Sequence, residues 1–181
     1  MATQSQERTD LIDALNRHRG FLLQTAEGLT EEQARTRSTV SRLTIGGILK
    51  HVADTEEGWF EFAETGTDSS SEVYGQDVDW DQVAADAAAG IAQDDPRFEL
   101  TDDETLDALR ERVAAVAART EELLSTIDLD LAHPLPEAPW FEPGTTWTVR
   151  RVAYQMLGEI SQHAGHADII REAIDGQKTM G

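Results

Sequence analysis

Three polar residues close to the C-terminal end of this 181-residue chain fall where an amphipathic helix would place apolar ones. In the segment GEISQHAGHADIIRE, Glu159 and His163 are four residues apart, so a helix projects both side chains from one face, about a turn from each other. His166 follows three residues later on that face, and Met156, Ile160 and Ala167 flank the set. The polar groups therefore lie along the stripe that should meet a core. A carboxylate and two imidazoles in that position must be paired, hydrated or bound to metal, because burying them bare costs several kcal/mol.

His51 adds a third donor of the same kind from another segment, beside Ile48 and one turn before Thr55. Two histidines and a carboxylate form a common ligand set for catalytic zinc, which keeps a coordination position open for water or substrate. The same nitrogen and oxygen donors also take nickel, iron or manganese. Each part has a duller explanation. A single helical histidine is more often packed or at the surface than a ligand, and an acid four residues before a histidine can be a plain surface pair. Only the combination of His51, Glu159 and His163 on core-facing positions points to a metal site. His18, in a charged stretch, and His133, just before a proline, are left outside it.

Four long helices must position these residues. The first is expected from about Glu7 to Ala26, with Leu11, Ile12, Leu15, Leu22 and Leu23 at helical spacing and Gly28 as a stop. A short capped turn follows Thr30. The second long helix runs from near Thr44 to about Glu64, with Ile45, Ile48, Leu49, Val52, Trp59 and Phe60 as its apolar stripe. Residues 66–100 are polar, acidic and rich in turn formers, so they are expected as a loop, with an alanine-rich piece that Gly90 and Pro96 interrupt. The third helix is expected behind a capping box formed by Thr101 and Glu104, and extends to about Ser125. Four prolines keep HPLPEAPWFEPGTTW from being helical. The last helix begins after Thr148 and runs to about Asp175, closed by Gly176. No segment alternates well enough to predict a strand. The predicted fold is all-α, a single four-helix bundle spanning residues 1–181 with long connections.

Composition narrows the function classes. The formal net charge of -20, from 35 acids against 15 bases, argues against a nucleic-acid partner, whose recognition relies on Lys and Arg. An acidic surface keeps molecules apart in solution, and a salt-adapted proteome carries the same signature. Zero cysteines exclude a disulfide framework, a thiolate metal site and a cysteine nucleophile, so any sulfur chemistry must arrive with a substrate. No apolar run is long enough for a membrane span and no signal peptide is recognisable, which makes the cytoplasm the expected compartment.

LTIGGILKHVADTEEGWF around His51, WTVRRVAYQML at the start of the last helix and EISQHAGHADIIREAIDG beyond it together resemble the DinB-like superfamily of metal-binding four-helix bundles, in particular its mycothiol-dependent branch. The resemblance covers nearly the whole chain. It implies one divalent metal, zinc foremost, held by His51, Glu159 and His163. The acid at 159, where many members carry a third histidine, is the variant of the maleylpyruvate isomerase type. By the same resemblance His166 supports the ligands or walls the pocket.

The function implied is a metal-dependent thiol S-transferase that joins a low-molecular-weight thiol, mycothiol foremost, to small electrophiles. The alternatives are a mycothiol-dependent isomerase of the maleylpyruvate type and a non-catalytic metal-binding stress protein. A metal-dependent hydrolase ranks lower, since no separate general base is evident. Trp59, Trp140 and Trp147 are candidates for lining the electrophile pocket. Arg150, Arg151 and Arg171 are the cations near the last helix that could meet a substrate carboxylate, although surface salt bridges are the commoner use of such residues. A homodimer is compatible with the family.

Overall fold

A computed structural model describes residues 5–67, 82, 85, 89, 96–135 and 141–179. The described residues hold five α-helices and one two-stranded ladder. Helix α1 (Gln6–Thr25) starts where the Ser5 side chain accepts the Arg8 amide, and buries Leu11, Ile12, Leu15 and Leu22. Helix α2 (Glu31–Ala34) is a single turn whose capping box, Thr30 with Gln33, has both hydrogen bonds in place. Helix α3 (Ile45–Thr65) opens on Thr44, whose hydroxyl accepts the Gly47 amide, and ends at Gly66 in the left-handed conformation that favours glycine. A 3-10 turn (Pro96–Phe98) precedes α4 (Leu106–Thr126), and α5 (Val149–Asp175) runs from Thr148 to a left-handed Gly176. The long helices thus begin on a hydroxyl side chain that takes up an otherwise orphaned amide.

Two expectations change. The N-cap of α4 is Thr105, whose hydroxyl accepts the Ala108 amide, and not Thr101. Thr101 and Glu104 do bond, Thr101 N to Glu104 Oε2 at 2.8 Å, but they close a separate turn just before the helix. A second acid completes the α4 start: the Glu31 carboxylate accepts the Leu106 amide at 2.8 and 3.0 Å, tying α2 to α4. The proline-rich connection is also not wholly irregular. Its flanks pair as antiparallel strands β1 (Ala132–Pro134) and β2 (Thr146–Thr148), with His133 opposite Trp147. Three-residue strands are too short to show alternation, so they left no pattern in the sequence. The expected loop at 66–100, with its alanine-rich piece, lies mostly outside the described residues.

The four long helices pack around one apolar core, with α5 against α1 and α3, and α4 against α3. Among the described residues, the bundle therefore holds four long helices and one single-turn helix. Inside it lies a polar cluster that joins three of the long helices. Arg19 from α1 donates to both carboxylate oxygens of Glu56 from α3, at 2.9 and 2.5 Å, and the Thr120 hydroxyl from α4 donates to Glu56 Oε1 at 2.6 Å. All three are buried, and the side-chain amide oxygen of Asn16 takes a further Arg19 donor. Every charge there is matched by a hydrogen bond, which is the condition under which a buried ion pair is tolerated.

Candidate metal centre

His51 lies on α3 and Glu159 and His163 on α5, and packing of these two helices brings the three together. Glu159 and His163 share a face through their i, i+4 spacing, so one helix supplies two donors pointing the same way. His51 Nε2 and His163 Nε2 both approach Glu159 Oε1, each at 3.1 Å. The ligand atoms of all three lie within 4.8 Å of one another. Donors about 2.0 Å from a shared tetrahedral ion stand about 3.3 Å apart, so the two Glu–His spacings suit one small ion.

The environment sharpens the charge at this point. His51 and His163 are buried, at 5% and 8% exposure, while the Glu159 side chain retains 24%. The hydrogen bond from His163, then that from His51, hold the Glu159 carboxyl well below the usual carboxylate range, against the burial that would raise it. Glu159 is therefore an anion at neutral pH, flanked by two imidazole nitrogens. An anionic oxygen between two nitrogen donors is the chemistry that a divalent cation completes.

The surroundings include residues that sequence reasoning had not assigned. Phe98, from the 3-10 turn, stacks on the His51 ring with centroids 4.0 Å apart and planes 23° from parallel, and it meets His163 at 5.5 Å. The Thr55 hydroxyl, one turn after His51, lies 3.5 Å from His51 Nε2. His166 packs edge-on against His163 at 5.4 Å, next to the cluster and outside the three-donor set. Among the described residues, the buried Nδ1 atoms of His51, His163 and His166 have no hydrogen-bond partner. The one signal for Phe98 in the sequence was indirect: Gly46 and Gly47, adjacent glycines at a helix start, announce that another segment comes close.

Towards β2, the strand that leads into α5, lies an aromatic group. Trp59 of α3 stacks on Trp147 with centroids 5.0 Å apart, Phe141 meets Trp147 edge-on, and the Arg151 guanidinium lies 4.2 Å from the Trp147 ring centroid. Since His51 meets α5 at Glu159 while the later Trp59 meets the earlier Trp147, α3 and α5 run antiparallel and the aromatic group lies further along their seam. Trp140 lies outside the described residues. The other two arginines are engaged in structure. Arg150 pairs with Glu7 and Asp130, linking α1 and the turn before β1 to α5. Arg171 is buried, pairs with Asp175 at 2.9 Å and donates to the Thr25 and Glu27 carbonyls at 2.7 Å. These contacts latch the end of α1 to α5. His18 packs edge-on against Phe21, and His133 against Phe62 and Gly66, both outside the donor set.

Comparison with known proteins agrees with this architecture. In fold the chain is similar to a crystal structure of a conserved protein from Enterococcus faecalis, with a TM-score of 0.58, 17% identity, and coverage of 97% of this chain and 100% of that one. No curated protein gives a sequence match. The family model described as Mycothiol-S-transferase matches residues 10–176, from within α1 to the glycine that closes α5. The chain belongs to the mycothiol-S-transferase family.

Proposed function

We propose that this protein is a metal-dependent thiol S-transferase that conjugates mycothiol to small electrophiles, with His51, Glu159 and His163 holding one divalent metal, zinc foremost. What carries the assignment is the convergence of two buried imidazole nitrogens on one anionic carboxylate oxygen, at 3.1 Å each, inside a chain of this family. A bound divalent cation lowers the pKa of a thiol and so raises the fraction present as nucleophilic thiolate at neutral pH. The chain has no cysteine of its own, so the sulfur comes from the cosubstrate.

The protein's residues supply position and dryness. Burial of both histidines keeps water from the inner side of the centre, and the more exposed Glu159 marks the side open to substrate. Trp59 and Trp147 offer an apolar surface along the α3–α5 seam, where the flat or apolar part of an electrophile can rest. Arg151, over Trp147, is the cation on that surface available to a substrate carboxylate. His166 walls the centre beyond His163.

The test follows the fate of the thiol. Purified protein is incubated with mycothiol and an activated aryl halide, with free thiol and product measured together. Transfer predicts one thiol consumed per product formed, dependent on metal and lost in His51→Ala. An isomerase returns the thiol unchanged, and equal turnover with metal removed would contradict the assignment.

A further inference from the structure

The imidazoles of a metal site are ordinarily held in plane by a hydrogen bond to the nitrogen that does not bind the metal, from a carboxylate or a carbonyl. That support is missing among the described residues: His51 Nδ1 and His163 Nδ1 are buried and have no partner. Other contacts among the described residues hold the two rings so that both Nε2 atoms aim at one point. Glu159 Oε1 meets both rings at their Nε2 edges, at 3.1 Å each, and Phe98 meets both as a ring, stacked on His51 at 4.0 Å and tilted against His163 at 5.5 Å.

Phe98 is itself held firmly. The chain around it comes so close to the first turn of α3 that a Cβ on Gly47 would lie 2.1 Å from the Phe98 carbonyl oxygen, and one on Gly46 would lie 2.6 Å from Leu100 Cδ1. Gly47 is one turn before His51 on the same helix face, so the glycine that admits the segment also sets its distance from the ligand. Glycines in a helix weaken it relative to alanine by the conformational entropy they lose, a cost that this close approach explains.

We propose that Phe98 is a positioning residue for the metal centre, holding the planes of the His51 and His163 imidazoles by ring contact while Glu159 meets their Nε2 edges. A ring face held against Phe98 cannot rotate without driving its edge into the phenyl, so the donor directions stay fixed with or without metal. The inference rests on the metal-centre assignment and adds a determinant of its rigidity.

The test uses the full-length protein loaded with Co2+, whose visible absorption reports ligand geometry, and measures the rate of cobalt release to excess chelator. Phe98→Ala is expected to release cobalt about 10–100-fold faster, the range found for losing a group that orients a ligand, and to shift the absorption bands. Phe98→Leu, which keeps apolar bulk and loses the flat face, should fall between the two. Gly47→Ala should reproduce the Phe98→Ala change from a distance by displacing the segment. These readouts differ from mere destabilisation, because helix content in the metal-free variants should match the unmodified protein. Unchanged release and spectrum in Phe98→Leu and Gly47→Ala would overturn the proposal while leaving the metal centre standing. An unmodified protein that binds no cobalt would overturn both.

Discussion

At the scale of residues, the proposed metal centre depends on one carboxylate shared by two imidazoles. Glu159→Gln keeps the shape and removes the negative charge that balances a divalent ion. It is expected to weaken metal binding by at least the ~10–100-fold typical of losing a mere supporting partner, measured by competition with a chromophoric chelator. His163→Ala should be worse, since it removes a nitrogen donor and leaves Glu159 with one imidazole. The pair Glu159 and His163 was legible in the sequence because their spacing is local: four residues on a helix are neighbours whatever the rest of the chain does. His51 was legible only in company, as a polar residue on an apolar stripe. Phe98 was legible only indirectly, through the adjacent Gly46 and Gly47 that leave room for another segment. Its stacking on His51 depends on how a distant segment crosses α3, and no local periodicity encodes that.

At the scale of elements, the helices are anchored by two polar devices of different strength. The Arg19–Glu56–Thr120 cluster ties α1, α3 and α4 together in the interior. Glu56→Ala leaves the Arg19 charge buried without its partner, so unfolding in denaturant should show a loss of about 3–5 kcal/mol. The Arg171–Asp175 latch at the end of α5 is more exposed and titrates. The hydrogen bond from Arg171, then the Gln177 amide, hold the Asp175 carboxyl below its ordinary value of 3.8. A depressed folded-state value stabilises the fold above that ordinary value and loses the contribution as pH falls through the folded one. Asp175→Asn should therefore lower Tm modestly at pH 7, with the gap to the unmodified protein closing below about pH 3.8. Merged scans at pH 7 would contradict the latch. The four long helices were readable from apolar spacing and their caps. The Thr105 cap was missed because Thr101 begins a better-looking box, and the ladder because each strand has only three residues.

At the scale of the whole molecule, the formal charge of -20 is both a solubility device and a load. Like charges repel within the folded chain, and salt shortens their reach from about 10 Å at 0.1 M to about 3 Å at 1 M. Tm of the metal-free protein is expected to rise with added sodium chloride; a fall would mean that the surface ion pairs outweigh the net repulsion. A divalent cation bound by the folded state alone stabilises it in turn, by about 2.7 kcal/mol at a free concentration of 100 Kd.

Elemental analysis of the protein, purified without chelator or affinity-tag metal, tests the central claim most directly. It should be run beside a His51→Ala, His163→Ala double variant. About one equivalent of zinc or another transition metal, absent from the variant, is the predicted result. An unmodified protein that holds no metal even after reloading would contradict the metal centre and the thiol chemistry built on it.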